Sequence, residues 1–270
     1  MPTVLSPTTA PAPKSLSSWS GSAVVHGRAV LTCRRYLTPE KPNNALLFDV
    51  NLYLYGSTSA DHIVGLCFYF KQANDRFDSE DEPEVADVTA NITFMPRSEE
   101  AVKSLLPEDA SPSEYSFIGE LIRLDLIGLQ SQGFDCRRRP IFSVSGLASP
   151  VDNTTRSFTL TASPYTKLAK DNKFPSAFLS TFTIPETPRW SKLPTIAEGG
   201  YVTAEGFGVS VARDSNGFVQ TIIVEAEKVT LQGKPSMPPI RKSLPISSTA
   251  GVKRRNKFSY ADSVKKARTS

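Results

Sequence analysis

Residues 201–233, YVTAEGFGVSVARDSNGFVQTIIVEAEKVTLQG, alternate between the two sides of an extended chain. Val202, Ala204 and Gly206 fall on one side and Thr203, Glu205 and Phe207 on the other. Beyond DSNG, Ile222, Val224 and Ala226 alternate with Ile223, Glu225 and Glu227. A period of two turns one apolar face toward a core, and an Asn-Gly pair tolerates the positive φ of a tight turn, so the stretch predicts a β-hairpin. Upstream, β-branched and aromatic alternation bounded by Pro, Asn, Asp or Gly predicts strands over 23–36, 45–55, 61–70 and 87–95. SEEAVKSLLPED (98–109) predicts a short helix, capped by Ser98 and stopped by Pro107. Residues 115–128 favour a strand through their β-branched content and Gly119, with a helix over 118–127 left open.

The second half repeats the hairpin pattern. FSVSGLASPVDNTTRSFTLTA (142–162) alternates into Gly146, turns through polar residues, and alternates again through Phe158 and Leu160. Glycine inside a strand often marks a bulge or a barrel corner, so Gly146 and Gly206 predict sharply coiled strands. With FLSTFTI (178–184), five strands are expected: 140–149, 156–163, 178–184, 200–212 and 217–231. An irregular crossover, PETPRWSKLP (185–194), is anchored by Trp190, which is expected to plug the barrel end.

Hairpin, third strand, crossover and final hairpin is the strand plan of the OB-fold, a five-stranded Greek-key barrel. Over residues 139–233 the chain resembles OB-fold domains of the single-stranded-DNA-binding and replication protein A kind. It is also similar in style to fungal proteins that carry an Arg-Trp crossover before a final glycine-marked hairpin. The expected architecture is therefore mostly β: a disordered leader (1–21), a β-rich domain (22–128) that could form a second barrel of the same kind, an OB-type barrel (139–233) and a disordered basic tail (234–270). The resemblance implies binding of single-stranded nucleic acid.

Composition sharpens this picture. Pro (21) outnumbers Gly (15), and helix-period stripes are scarce. No apolar run approaches the roughly 20 residues that span a bilayer, so no membrane is expected. The start, MPTVLSPTTAPAPK, lacks the apolar core and basic end of a secretory signal. Cys33, Cys67 and Cys136 are odd in number and far apart, which argues against a disulfide framework or zinc site and for a reducing compartment. Charge is segregated. Residues 234–270 hold ten Lys and Arg against Asp262, a balance of +9, while the rest of the chain holds 21 basic and 26 acidic residues. Seven of those acids lie in 75–87, expected as a solvated loop without calcium-loop spacing.

Candidate chemistry is sparse. His26 and His62 lie in expected strands without metal-ligand or catalytic partners, and phosphate-loop and nucleophile-elbow motifs are absent. No enzyme activity, cofactor or metal is expected. Arg137, Arg138 and Arg139 precede a strand, where they either grip phosphates or only solubilise the chain. In 163–174, read as a loop, Tyr165 and Phe174 interleave with Lys167, Lys170 and Lys173, as single-strand binding requires. The two groups are expected to flank one groove. Against this, an outward set of Thr159, Thr161, Thr181 and Thr183 lacks an aromatic stacking platform. In the tail, Lys253, Arg254, Arg255 and Lys257, then Lys265, Lys266 and Arg268, read as a bipartite nuclear localisation signal or a nucleic-acid arm. The expectation is a nuclear, single-strand-binding protein that meets an import receptor. The alternative is a β-barrel module for a protein partner.

Overall fold

The computed structural model describes residues 21–37, 45–54, 62–71, 77, 82–174 and 176–233. The leader and the basic tail lie outside the described residues. Ten strands form in chain order: β1 (Ser22–Tyr36), β2 (Ala45–Tyr53), β3 (His62–Phe70), β4 (Glu84–Phe94), β5 (Phe117–Leu129), β6 (Ile141–Ala148), β7 (Ser157–Ala162), β8 (Phe178–Thr183), β9 (Gly200–Arg213) and β10 (Val219–Gly233). Two short helices, α1 (Glu99–Val102) and α2 (Lys167–Asp171), interrupt them.

The strands close two rings with the same connectivity. In the first, β1 pairs antiparallel with β2 and β4, β2 with β3 and β4 with β5, and the parallel pair β3–β5 completes the circle. In the second, β6 pairs with β7 and β9, β7 with β8 and β9 with β10, and β8–β10 is the parallel pair. Each ring is a five-stranded barrel of OB type, as the hairpin–strand–crossover–hairpin plan implies. The rings are stitched together because the first halves of their opening strands pair with each other, from Ser22 opposite Ser145 to His26 opposite Ile141.

Alternation fills both barrels. Val25, Phe48, Leu52, Ile63 and Ile92 point into the first, and Phe142, Phe158, Leu160, Phe182 and Val224 into the second; all belong to one continuous buried core. Trp190 and Leu193, both partly buried, pack against this core. Arg156, at a left-handed φ of 49°, holds that crossover by donating to the carbonyls of Ile184, Pro185 and Trp190. A methyl at Gly206 would lie 2.0 Å from the Glu225 carbonyl, and one at Gly146 2.3 Å from that of Thr161. The mid-strand glycines thus permit the close strand crossings their positions predict.

The strand favoured over 115–128 forms as β5, Phe117–Leu129, because one edge meets β4 and the other β3. Other expectations are corrected. The helix of 98–109 shrinks to α1 and a 3-10 turn at Lys103–Leu105. Of the acidic stretch 75–87, residues 75, 76 and 78–81 lie outside the described residues, and its end is not a loop. Glu84–Asp87 are strand, with Glu84 buried and Asp87 ion-paired to Arg28. The loop of 163–174 contains α2, which lies against β5; its Leu168 and Ala169, with the following Phe174, join Ile118, Leu47, Leu66 and Phe68 in one buried cluster on the outer face of the first barrel. At the DSNG turn, Gly217 takes positive φ and Asn216 does not; the Asp214 carboxylate instead accepts from the N–H groups of Asn216 and Phe218.

Candidate nucleic-acid interface

The arginine triplet sits on a segment fixed from both ends. Cys136 is buried beside Val30 and Val85, and the carbonyl of Pro140 accepts from the Gly208 N–H. Between these anchors Arg137 and Arg138 are exposed, and the Arg137 N–H donates to Asp135 Oδ1 at 2.9 Å. Arg139 is half-buried. It pairs with Glu225 at 3.3 Å and lies 4.9 Å over the Phe207 ring.

Arg138 and Arg139 line a cleft of about 370 Å³ whose other wall is the outward face of β1, β4 and β5. Strand register builds that wall in two rows. His26 opposes Thr89, which opposes Arg123; Arg28 opposes Asp87, which opposes Asp125. His26 Nδ1 and Thr89 Oγ1 are 3.0 Å apart. Arg28 donates to Asp87 at 3.0 Å and reaches the carbonyl of Asp135, tying the wall to the arginine segment. Its hydrogen bond to Asp87 raises the Arg28 pKa further, so it stays cationic. Arg123 pairs with Asp125 at 2.6 Å across a solvent-exposed pair, where such bridges are weak and exchange readily for a better anion. The lining therefore holds four guanidinium groups against two carboxylates. Arg138 makes no ion pair among the described residues. A rigid fork of donors left unopposed beside three other arginines suits phosphate oxygens.

The Tyr/Lys group lies elsewhere. Thr166 caps α2, its hydroxyl accepting from the Ala169 N–H at 3.2 Å. Lys167 bridges to Asp171 at 2.5 Å, and that hydrogen bond raises its pKa. Tyr165 is exposed, with the Lys170 ammonium 5.7 Å from its ring centre. Phe174 is buried and cannot stack on a base. Lys173, at a left-handed φ of 56°, lines a second and larger groove of about 750 Å³. None of Tyr165, Lys167, Lys170 or Lys173 lines the arginine cleft, so the two groups do not share one groove. The tail residues Lys253, Arg254, Arg255, Lys257, Lys265, Lys266 and Arg268 lie outside the described residues.

Sequence reading missed His26, Arg28 and Arg123 as neighbours of Arg138. The local signal was only that His26/Arg28 and Arg123/Asp125 each sit two apart on one strand face. Which strands would lie side by side is a long-range property. Among the described residues no group of three or more His, Cys, Asp or Glu side chains is placed to hold a metal ion.

No family model matches the chain, and no curated protein matches it. Solved structures similar to it include a deletion mutant of the single-stranded DNA binding protein from Thermus aquaticus, at 13% identity and a TM-score of 0.41, covering 82% of this chain and 98% of that one. The wild-type form of the same protein is similar at 13% identity and a TM-score of 0.40, covering 86% and 98%. These values describe a distant likeness of shape, and neither bears on what this chain binds.

Proposed function

We propose that this chain is a non-enzymatic protein that binds single-stranded nucleic acid with low sequence specificity, and that the arginine cleft at the junction of the barrels takes the phosphates. The supporting observation is Arg138, which makes no ion pair among the described residues, on a cleft whose other three arginines are each balanced by one carboxylate. Phosphate contacts hold a strand in place without reading its bases, which fits the absence of an aromatic platform on the Thr-rich outer face of β7 and β8.

The test removes residues 234–270, so that the tail's charge cannot hold the polyanion, and titrates labelled single-stranded DNA and RNA across salt. Binding is expected to persist in the body. Arg138→Ala should weaken it and lower the salt slope by about 0.7, the value for one phosphate contact on a single strand. A body that does not bind, or an Arg138→Ala variant with unchanged affinity and slope, overturns the reading in favour of a barrel module for a protein partner.

The reading places the protein in the nucleus, addressed by the two basic clusters of the tail, since import receptors read clustered Lys and Arg. Substitution of Lys253, Arg254 and Arg255 by Ala should move a fluorescent fusion of the full chain out of the nucleus. An unchanged nuclear signal counts against it.

A further inference from the structure

The 750 Å³ groove lies between the barrels, and its walls are fixed by contacts across them. The Phe94 N–H donates to the Ala177 carbonyl at 3.2 Å, and Thr93 Oγ1 donates to the same oxygen at 3.1 Å. The floor is aromatic and aliphatic: the half-buried Phe94 ring lies 4.8 Å from that of Phe178, beside Leu179 and Val219. The rim is polar and cationic, with Asn172, Lys173, Gln220 and Arg97. Arg97 is held by one nitrogen, Nη2, 3.0 Å from Asp214 Oδ2, and 65% of its side chain is exposed. Asp214 is itself 9% exposed and committed to the turn, so it orients Arg97 while the other guanidinium donors face outward. Lys173 makes no ion pair among the described residues.

This combination selects an occupant. An apolar aromatic floor does not favour a bare phosphate or a sugar. Two cations at the rim favour an anionic group over a neutral one, and the Gln220 amide, with the oxygen of Asn172 (whose Nδ2 donates to the Leu168 carbonyl), suits the edge of a heterocycle. From this we infer that the groove is a nucleotide site, taking one base of a bound single strand against Phe94 while the adjoining phosphate meets Arg97 and Lys173. The inference rests on the nucleic-acid reading above and adds a base-dependent contact to a cleft that recognises backbone alone. Base–aromatic stacking tolerates any base, consistent with low sequence specificity.

The experiment uses the full chain and two labelled oligonucleotides of equal length and charge, one of ordinary bases and one abasic throughout. Gln220→Trp fills the groove from an exposed position, and Lys173→Gln removes its charge while keeping the stem. Thermal melts confirm that both variants fold, and Lys173→Gln serves alone if the bulkier one does not. Wild-type protein should prefer the base-bearing strand. Each variant should reduce that preference, Gln220→Trp by roughly tenfold, the order that stacking one base contributes. Abasic binding should be unchanged by Gln220→Trp. Arg138→Ala should weaken both strands by the same factor.

If Arg138→Ala weakens both strands while Gln220→Trp and Lys173→Gln leave the preference intact, the groove is not a nucleotide site and the arginine cleft stands. Equal affinity of wild type for the two strands overturns the inference in the same way. If wild type binds neither strand, or Arg138→Ala has no effect, the nucleic-acid reading itself fails. Mononucleotides form a further arm. Saturable binding of a free mononucleotide with no preference for base-bearing strands assigns the groove to a small ligand and overturns the strand-bound form.

Discussion

Two buried polar side chains illustrate how the same cost is met in one place and left unmet in another. Asp49 on β2 is buried, yet it accepts from Arg35 at 3.1 Å and from the Tyr115 hydroxyl at 2.8 Å. Burial, then Asp49, push the Tyr115 pKa well above its ordinary value, so the phenol keeps the proton it donates. Ser180 on β8 is fully buried inside the second barrel, opposite Leu160 and Ile222, and its hydroxyl has no hydrogen-bond partner among the described residues. A buried hydroxyl without a partner costs about 1–3 kcal/mol in desolvation, whereas the void left by its removal is small. Ser180→Ala is therefore expected to stabilise the protein by about 1 kcal/mol, read as a higher urea midpoint at unchanged slope. A lower midpoint would mean that the hydroxyl is satisfied in solution.

At the scale of elements, what was legible in the sequence divides by range. Strands β6 to β10 follow period-two alternation, and β1 to β4 are β-branched and aromatic runs bounded by turn residues, so all of them were readable, because the signal is written in each segment itself. So were the glycines at the crossings of the second barrel. The helix α2 was not. In five residues it carries only Leu168 and Ala169 as an apolar face, and what stabilises it is the outer surface of the first barrel, where Ile118 of β5 and Leu66 and Phe68 of β3 lie about 50 to 100 residues earlier. A helix this short is marginal on its own and exists by packing. That packing explains why Phe174 stacks on nothing and why the lysines of the segment part from the arginines. The cleft was half legible: the charge density of Arg137–Arg139 was visible, but its opposite wall depends on the register of β1, β4 and β5. The first half of β1 shows the same limit, since its partner is β6 of the other barrel rather than its own neighbour β2.

That pairing decides how the described body behaves as a whole. Besides the Thr93 and Phe94 hydrogen bonds to Ala177, three contacts join the barrels among the described residues. The first is the β1–β6 seam, in which Val25 stands opposite Phe142, both fully buried. The second is the tip of the β9–β10 hairpin, where Arg213 donates to the Ser113 carbonyl at 3.0 Å and to Ser116 Oγ at 3.2 Å, with Arg97 closing on Asp214. The third is α2 against the first barrel. Because the buried core runs unbroken through the seam, neither barrel keeps its full set of partners once the other opens. The pair should therefore unfold in a single cooperative transition, even though each ring is closed. Phe142→Ala tests this, since truncating a fully buried phenylalanine costs about 3–5 kcal/mol. If the barrels are one cooperative unit, that loss appears in all of the strand signal. Far-ultraviolet circular dichroism, which sees both barrels, and the fluorescence of Trp190 in the second barrel, read in a Trp19→Phe background, should then shift to lower urea together. If the barrels are independent, fluorescence shifts while about half of the dichroism signal keeps the wild-type midpoint, giving two resolved transitions. Coincident curves before and after the substitution are the expected result, because a seam carrying Val25 and Phe142 in one core leaves no boundary at which a second transition could start.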